Sequence, residues 1–332
     1  MGIFDWFKPK ILQESAKSEK TSPQKTGSSD KSSTIKFEVN ISRENIKNSP
    51  KYIAISPDKR WELRITKSGG NGEFSSFYDD KKVFAYPFQL FTQLPSSPSL
   101  SNSGDFCFSH GNFLKNKKAA NTSTFYIARD LRIRQFVFEG HYTTTAISDD
   151  GKICAVFGST NEHRSEVALF DSDSGAQVAS FFTDSYRLRS IKKILTSEQK
   201  IILSNPTLGD FSFEFTGKIE NEKSYIDAEL HKGTLDIVCA RVEKILKHKP
   251  AITNPDMLRE LLICVDQAPP YAHSNQAWDE RQVLRMKVLI LEKMKKYQEA
   301  YDCAVKIKDL APTKSDQKKI RSLAQRLSSA QH

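Results

Sequence analysis

The sequence predicts two folded modules of opposite class, an all-β repeat followed by an all-α region, behind a polar N-terminal tether. Three observations predict this. Short apolar or aromatic stretches separated by polar turns run from about residue 35 to 222, as successive strands do. After Tyr225 the apolar residues recur at helical spacing. From Pro9 to about Thr34 the chain is rich in Lys, Ser and Thr, with almost nothing apolar after Leu12, too little to repay its ordering entropy. The 332 residues leave room for a core in each module, and a hydrophobic share of 38% fits a polar segment diluting the folded ones.

The β part has a period. Four units of turn then strand line up: Ser56-Pro57-Asp58-Lys59-Arg60 before WELRI, Ser101-Asn102-Ser103-Gly104 before DFCFS, Ser148-Asp149-Asp150-Gly151-Lys152 before ICAVF, and Thr196-Ser197-Glu198-Gln199-Lys200 before IILSN. Their first residues are spaced by 45, 47 and 48, the size of a propeller blade. Further strand candidates follow each turn. Their alternating apolar residues, as at Phe136 and Phe138 or Phe211, Phe213 and Phe215, place one face against a neighbouring sheet. The expected fold is therefore a small or incomplete β-propeller-like repeat domain, with a β-sandwich of the same hairpins as the alternative. Four units are few for a ring. Either the ring is small or open, or a second subunit completes it, or the strand candidate Ile35 to Ile41 helps close it.

The third unit, Gly140 to Gly175, resembles a repeat of the WD-repeat (tryptophan-aspartate) propeller family. Gly140-His141 stands at the opening pair, Ala146 to Gly151 at the turn motif, Ala155 to Ser159 at the second strand, Phe170-Asp171 at the Trp-Asp position and Ser174-Gly175 at the next turn. Arg164 occupies the place of a structural Asp, and the other three units do not repeat the motif. The resemblance implies a rigid propeller that recognises partners.

The helical part begins with Leu230, Leu235, Val238, Val242, Ile245 and Leu246 on one face of an expected helix of about twenty residues. Asn254 is placed to cap the next helix, with Met257, Leu258, Leu261, Leu262 and Val265 as its stripe, and Pro269-Pro270 ends it. Helices follow from about Gln276 to Met294, Tyr297 to Leu310, and Pro312 to Leu327. Tyr297, Ala300 and Pro312 in KKYQEAYDCAVKIKDLAP resemble the aromatic, small residue and terminating proline of a tetratricopeptide repeat. That likeness implies an antiparallel helical-hairpin domain. Independently of the family, Ala300 and Ala304 let two helices approach closely. The expected domains are 1–34 (tether), 35–222 (WD-like β repeats) and 225–330 (tetratricopeptide-like helices).

Catalytic patterns are missing. The sequence has no phosphate-binding glycine loop, nucleophile elbow or H-E-x-x-H. Asp149-Asp150 and Asp171-x-Asp173 fall at turns, where Asp chemistry explains them, and the remaining ligands of a calcium loop are missing. Five cysteines, odd in number and without C-x-x-C spacing, read as reduced structural thiols in a cytoplasm. The histidines show no zinc spacing, so no metal or cofactor is expected. A net charge of +10 permits anionic partners. Arg129, Arg132 and Arg134 beside Phe125, Tyr126 and Phe136 form one basic-aromatic hairpin, and Arg187, Arg189, Lys192 and Lys193 a second cluster. Nucleic acid is nonetheless not the favoured partner, because on strands those aromatics read as core.

Ile3, Phe4, Trp6 and Phe7 could form one apolar helical edge for a membrane interface or a partner. This apolar stretch, interrupted by Asp5, is too short for a signal-peptide core, and no later segment approaches the length of a membrane span. The expected function is thus a non-enzymatic, cytoplasmic interaction or scaffold protein, with protein partners and homodimerisation open to it. A peripheral membrane factor tethered by residues 1–34 is the alternative, and a hydrolase hidden on the propeller face a further rival.

Overall fold

A computed structural model describes residues 52–68, 71–89, 96–112, 122–130, 132–162, 164–183, 188–248, 254–271, 274–310 and 313–330. The tether and the strand candidate Ile35 to Ile41 lie outside these residues. Strands come first and helices second, in two compact units.

The β unit is a chain of antiparallel meanders. The first blade holds β1 (Tyr52–Ile55), β2 (Trp61–Ser68), β3 (Asn71–Tyr78) and β4 (Lys81–Gln89) in order. The next seven strands form one sheet: β5 (Ser96–Leu100), β6 (Phe106–Asn112), β7 (Thr122–Arg129), β8 (Arg132–Ile147), β9 (Ile153–Thr160), β10 (Ser165–Asp171) and β11 (Gln177–Thr183). This sheet is two blades sharing one strand. Arg132 to Glu139 of β8 pair with β7 as the outer strand of the second blade, and Gly140 to Ile147 pair with β9 as the inner strand of the third. The joint is Gly140, at φ 133°, where an added Cβ would lie 2.2 Å from the Ser159 carbonyl oxygen. Ser123 Oγ pins it, donating to the Gly140 carbonyl at 2.8 Å and accepting from the Tyr142 N–H at 2.9 Å. The fourth blade holds β12 (Ser190–Leu195), β13 (Lys200–Asn205) and β14 (Gly209–Glu214), and a tight turn at Gly217 folds Ile219 back beside Phe213.

Period-two alternation explains the stacking. On β6, Phe106 and Phe108 join Leu63 and Phe74 of the first blade, whereas Cys107 between them joins Cys154, Val156 and Phe170 of the third. On β7, Phe125 and Ile127 face the third blade while Tyr126 and Ala128 face the first. The second blade is therefore buried on both faces, as stacked blades require and an isolated hairpin does not. The inner strands touch in the order β1, β5, β8, β12, and no packing of like extent joins β1 to β12 among the described residues. Among the described residues the four blades form an open arc.

The outward faces of the two terminal blades are different. Opposite Leu63 the first blade carries the bidentate Arg64–Glu62 pair, with Arg64 4.2 Å over Phe77, and the Lys82–Glu73 pair at 2.9 Å. The fourth carries Lys192–Asp210, with Ser204 donating to Asp210 at 2.7 Å. Aromatic rings fill the interior interfaces, and ion pairs cap these two faces.

In the helical unit the expected first helix is two: α1 (Glu222–His231) and α2 (Leu235–His248). The chain breaks at Gly233, where a Cβ would lie 2.4 Å from the Glu229 carbonyl oxygen and 2.6 Å from Ile237. Periodicity across Leu230 and Leu235 concealed this, since both remain in one core. A buried ion pair, Glu229 with Arg241, joins the two helices. Then come α3 (Pro255–Gln267), capped by Asn254 as expected, α4 (Gln276–Lys293), α5 (Tyr297–Leu310) and α6 (Lys314–Ala330). α4 serves two cores: Met286 and Ile290 pack on α1 to α3, while Leu284, Val288 and Leu291 meet α5 and α6. Ala300 and Ala304 are 0% and 2% exposed, which allows the close approach of α4 and α5.

A row across the third blade provides a test of this packing. Tyr142, Gly158, Glu166 and Phe182 pair in sequence across β8, β9, β10 and β11. A Cβ at Gly158 would sit 2.2 Å from the His141 carbonyl oxygen and 2.7 Å from Tyr142 Cγ. Gly158→Ala is expected to cost about 2–3 kcal/mol through overpacking, read as a lower denaturation midpoint at unchanged slope.

Candidate interaction surface

In a meander the first-to-second and third-to-fourth strand turns share one end, and here Trp61 pairs with Tyr78, Phe106 with Ala128 and Ile153 with Asp171. The four repeated turns gather there with one geometry. Lys59, Gly104, Gly151 and Gln199 have φ of 64°, 87°, 73° and 51°. Each donates its N–H to the carbonyl of the first turn residue, Ser56, Ser101, Ser148 or Thr196, at 2.9, 3.2, 2.9 and 3.2 Å. In the first and third turns the serine Oγ donates to the Asp two residues on and accepts the N–H of the next strand, at 3.0 Å from both Trp61 and Ile153. Ser56, Ser101 and Ser148 are buried at 2%, 0% and 1% exposure, so these turns are internal joints as well as surface.

Consecutive turns are bonded to one another. The Asp58 N–H donates to Asn102 Oδ1 at 2.9 Å, the Asn102 N–H to the Asp149 carbonyl at 3.0 Å, and Thr196 Oγ1 to Asp150 Oδ2 at 2.9 Å. This belt crosses all four blades. Glycine is required at two of its positions by space as well as by φ: a Cβ on Gly104 would meet the Trp61 ring at 2.8 Å, and one on Gly151 would meet Ser103 Oγ at 2.4 Å.

Two arginines tie the second blade to the third. Arg129 donates to the Gly151 carbonyl at 3.0 Å and to Ser172 Oγ at 2.8 Å, and Arg134 to the Ser172 carbonyl at 2.8 Å. Asp130 and Asp173 lie 3.7 and 3.8 Å from Arg129 Nε. Asp105, buried beside this arginine, is held above the usual carboxylate range by that burial, against the pull of the Ser103 hydroxyl and the guanidinium. At the solvent side Asp58 and Asp171 are held low, Asp58 chiefly by the Ser56 hydroxyl and Asp171 by the Ser174 N–H.

The basic-aromatic hairpin is no stacking platform. Phe125 is fully buried, Tyr126 stacks on Phe108 at 4.6 Å, and Phe136 packs on Phe170 at 4.6 Å. In the second cluster Lys192 and Lys193 are paired with Asp210 and Asp149, and Arg187 lies outside the described residues. Ile3, Phe4, Trp6 and Phe7 also lie outside the described residues. Sequence reading missed Ser172, Tyr142 and Glu166, and it placed Arg129 in a basic-aromatic hairpin where the structure has it tying two blades. The recurring turn serine was the available signal for the belt, whereas pairs between distant strands leave no local pattern.

One grouping has the outline of a nucleophile and base. Cys264 Sγ lies 3.7 Å from His231 Nδ1, and His231 Nε2 lies 3.5 Å from Asp227 and 3.8 Å from Glu260. Burial, then the Glu260 and Asp227 charges, push the Cys264 thiol up to about 11, so it is protonated near neutrality. Among the described residues no set of three His, Cys, Asp or Glu is arranged to hold a metal ion, and no helix is long and apolar enough to cross a membrane.

No protein-family model and no curated protein matches the chain. Solved structures similar to it include β-propeller domains. The β-propeller domain of the Trilobed protease from Pyrococcus furiosus is 12% identical, with a TM-score of 0.38, over 52% of this chain and 56% of that one. TolB from Acinetobacter baumannii is 16% identical, TM-score 0.35, over 50% and 41%. The Cps50 (Swd1) β-propeller domain of Myceliophteria thermophila is 13% identical, TM-score 0.33, over 50% of each. The chain thus spans about half the length of the structures it matches. Likeness at this level assigns neither ligand nor activity.

The Tyr142–Glu166 pair gives this region a pH signature. The Tyr142 hydroxyl donates to Glu166 across the space left by Gly158. Burial raises the Glu166 carboxyl above its usual value, with Tyr142 and then Arg164 pulling it back. A raised carboxyl contributes stability that is full below its unfolded value and lost as pH rises through its folded one. Glu166→Gln removes that dependence. Denaturant midpoints are expected to coincide for the two proteins near about pH 4 and to separate toward about pH 7, the variant becoming the more stable. A gap that stays flat or narrows contradicts the assignment.

Proposed function

We propose that the protein is a non-enzymatic, intracellular interaction or scaffold protein, built from a WD-like β arc and a tetratricopeptide-like helical stack, that holds protein partners on preformed surfaces. The observation that supports this most is the turn belt. Turns from four blades are bonded to one another and anchored on buried serines, so their exposed groups are presented in fixed relation. Such a surface binds without first paying to order its loops. It offers charges of both signs, including the half-exposed or exposed Asp130, Asp149, Asp173 and Lys152, which suits recognition of a polar protein surface.

The motif positions of the WD-like unit support the family reading. Gly140-His141 opens the inner strand, Ser148 to Gly151 forms the belt turn, and Phe170-Asp171 ends β10. For the helical stack the support is the buried Ala300 and Ala304 at the α4–α5 crossing. Five unpaired cysteines, four of them buried, suit a reducing compartment.

The test is affinity capture on the full chain, comparing the native sequence with a double charge reversal, Lys152→Glu with Asp173→Lys. Both side chains are exposed, but Asp173 lies 3.8 Å from Arg129 Nε, so the variant is compared with the native chain only after an unchanged circular dichroism spectrum and denaturant midpoint show the fold intact. The expected outcome is at least one partner enriched by the native chain and lost by the variant. Equal capture by both, or none by either, overturns the assignment of the belt as the binding surface.

A further inference from the structure

We propose that β11 is a homodimerisation edge, on which two copies of this chain pair β11 with β11, antiparallel, about a two-fold axis at Ser180. This goes beyond the reading above, since it adds a second copy of the chain as a partner and uses a surface other than the turn belt.

The strand has β10 on one side, and no described strand stands on the other. Proteins guard such edges with charge, proline, a bulge or cover, because an unpaired row of N–H and C=O groups is a template for another strand, and of these β11 has only a bulge, at its start beside Val178. The outer strands of the other blades are guarded. β4 begins with Lys81 and Lys82, the outer half of β8 holds Arg132, Arg134 and Glu139, and β14 holds Asp210 and Glu214 with Ile219 folded against it. β11 reads Gln-Val-Ala-Ser-Phe-Phe-Thr, without a charge or a proline. Its inner side is fixed, with Phe181 stacked on Phe213 at 5.9 Å, while Val178 and Phe182 are each 48% exposed.

The strand is complementary to itself. A bulge opposite Phe170 makes Val178 the extra residue and leaves Ala179 to Thr183 in regular register. Antiparallel pairing centred on Ser180 joins the two serines at the axis and sets Ala179 beside the partner subunit's Phe181 in regular register, with Phe182 reaching toward the partner subunit's Val178 at the bulge. Arg164, whose guanidinium lies 3.7 Å over the Phe182 ring, stands away from the axis. The other edge of the same sheet is β5, an inner strand carrying Pro98, so the pairing closes at two copies. Completion of a ring by a second chain is disfavoured by the ion pairs on both terminal faces. A strand of seven residues gives a small interface, so the dimer is weak and concentration-dependent.

Sedimentation of the full chain from low-micromolar to sub-millimolar protein is expected to show mass rising toward twice that of one chain. Ser180→Lys, at an exposed position, is expected to weaken association by roughly tenfold or more, because the two ammonium groups meet at the axis, with an unchanged circular dichroism spectrum. With oxidised glutathione, Ser180→Cys is expected to yield a dimer linked through residue 180, whereas Ser174→Cys in the adjoining turn is not. Single-chain mass at every concentration overturns the proposal, as does a dimer indifferent to Ser180→Lys. Dimerisation that appears only after residues 1–48 are removed also overturns it, and assigns the edge to the chain's own Ile35 to Ile41.

Discussion

The β unit rests on a single turn geometry used four times. A left-handed residue donates back to the first turn residue, and in three of the four turns that residue is a buried serine. Because the geometry is the same in every blade, each turn emerges at the same height and can bond to the next. Because two of the left-handed residues are glycines, the neighbouring blade approaches to where a Cβ would stand. The outer blades, with Lys59 and Gln199 at the same position, mark where close approach on both sides is no longer demanded. Blade stacking, the arginine ties from β7 and β8 and the belt itself all depend on this spacing.

Much of the architecture was legible because it is periodic. Turn residues recurring at steps of 45 to 48 and alternation along each strand are local signals, and the strands that follow the four turns stand where those signals place them. What escaped is non-local or aperiodic. The break at Gly233 was masked by Leu230 and Leu235, which sit in one core whether or not the helix is continuous. The contact of Tyr142 with Glu166 depends on an absent side chain at Gly158, and an absence has no periodicity. The use of β8 as outer strand and then inner strand hinges on one glycine that the motif reading had assigned to a repeat boundary, which is where it falls.

Charge distribution follows the same logic. The sequence carries a net +10, but many of the cations that looked available are committed to the fold. Arg129 and Arg134 hold a neighbouring blade, Arg64 lies over Phe77, and Lys192 and Lys193 are each paired with an aspartate. A guanidinium that donates to buried carbonyls is unavailable to a phosphate, and a ring packed in an inter-blade core is unavailable to a base. Composition alone overstated the case for an anionic partner because it counts charges without asking what they already hold.

The Cys264–His231 grouping shows why geometry by itself does not make a reactive centre. Thiol, imidazole and carboxylate stand in the sequence a cysteine nucleophile would use, yet reactivity belongs to the thiolate. Here both influences on the sulfur act the wrong way: burial in the core of α1 to α3 disfavours its charge, and the Glu260 and Asp227 carboxylates add repulsion. A functional site would need the reverse, a cation or a helix N-terminus facing the sulfur and an opening to solvent. Of the same carboxylates, Glu260 instead links α3 to His231 of α1, while Asp227 lies one turn before His231 on α1 itself. In both units, then, the polar groups are used to fix elements against one another, which is the property a rigid recognition surface requires.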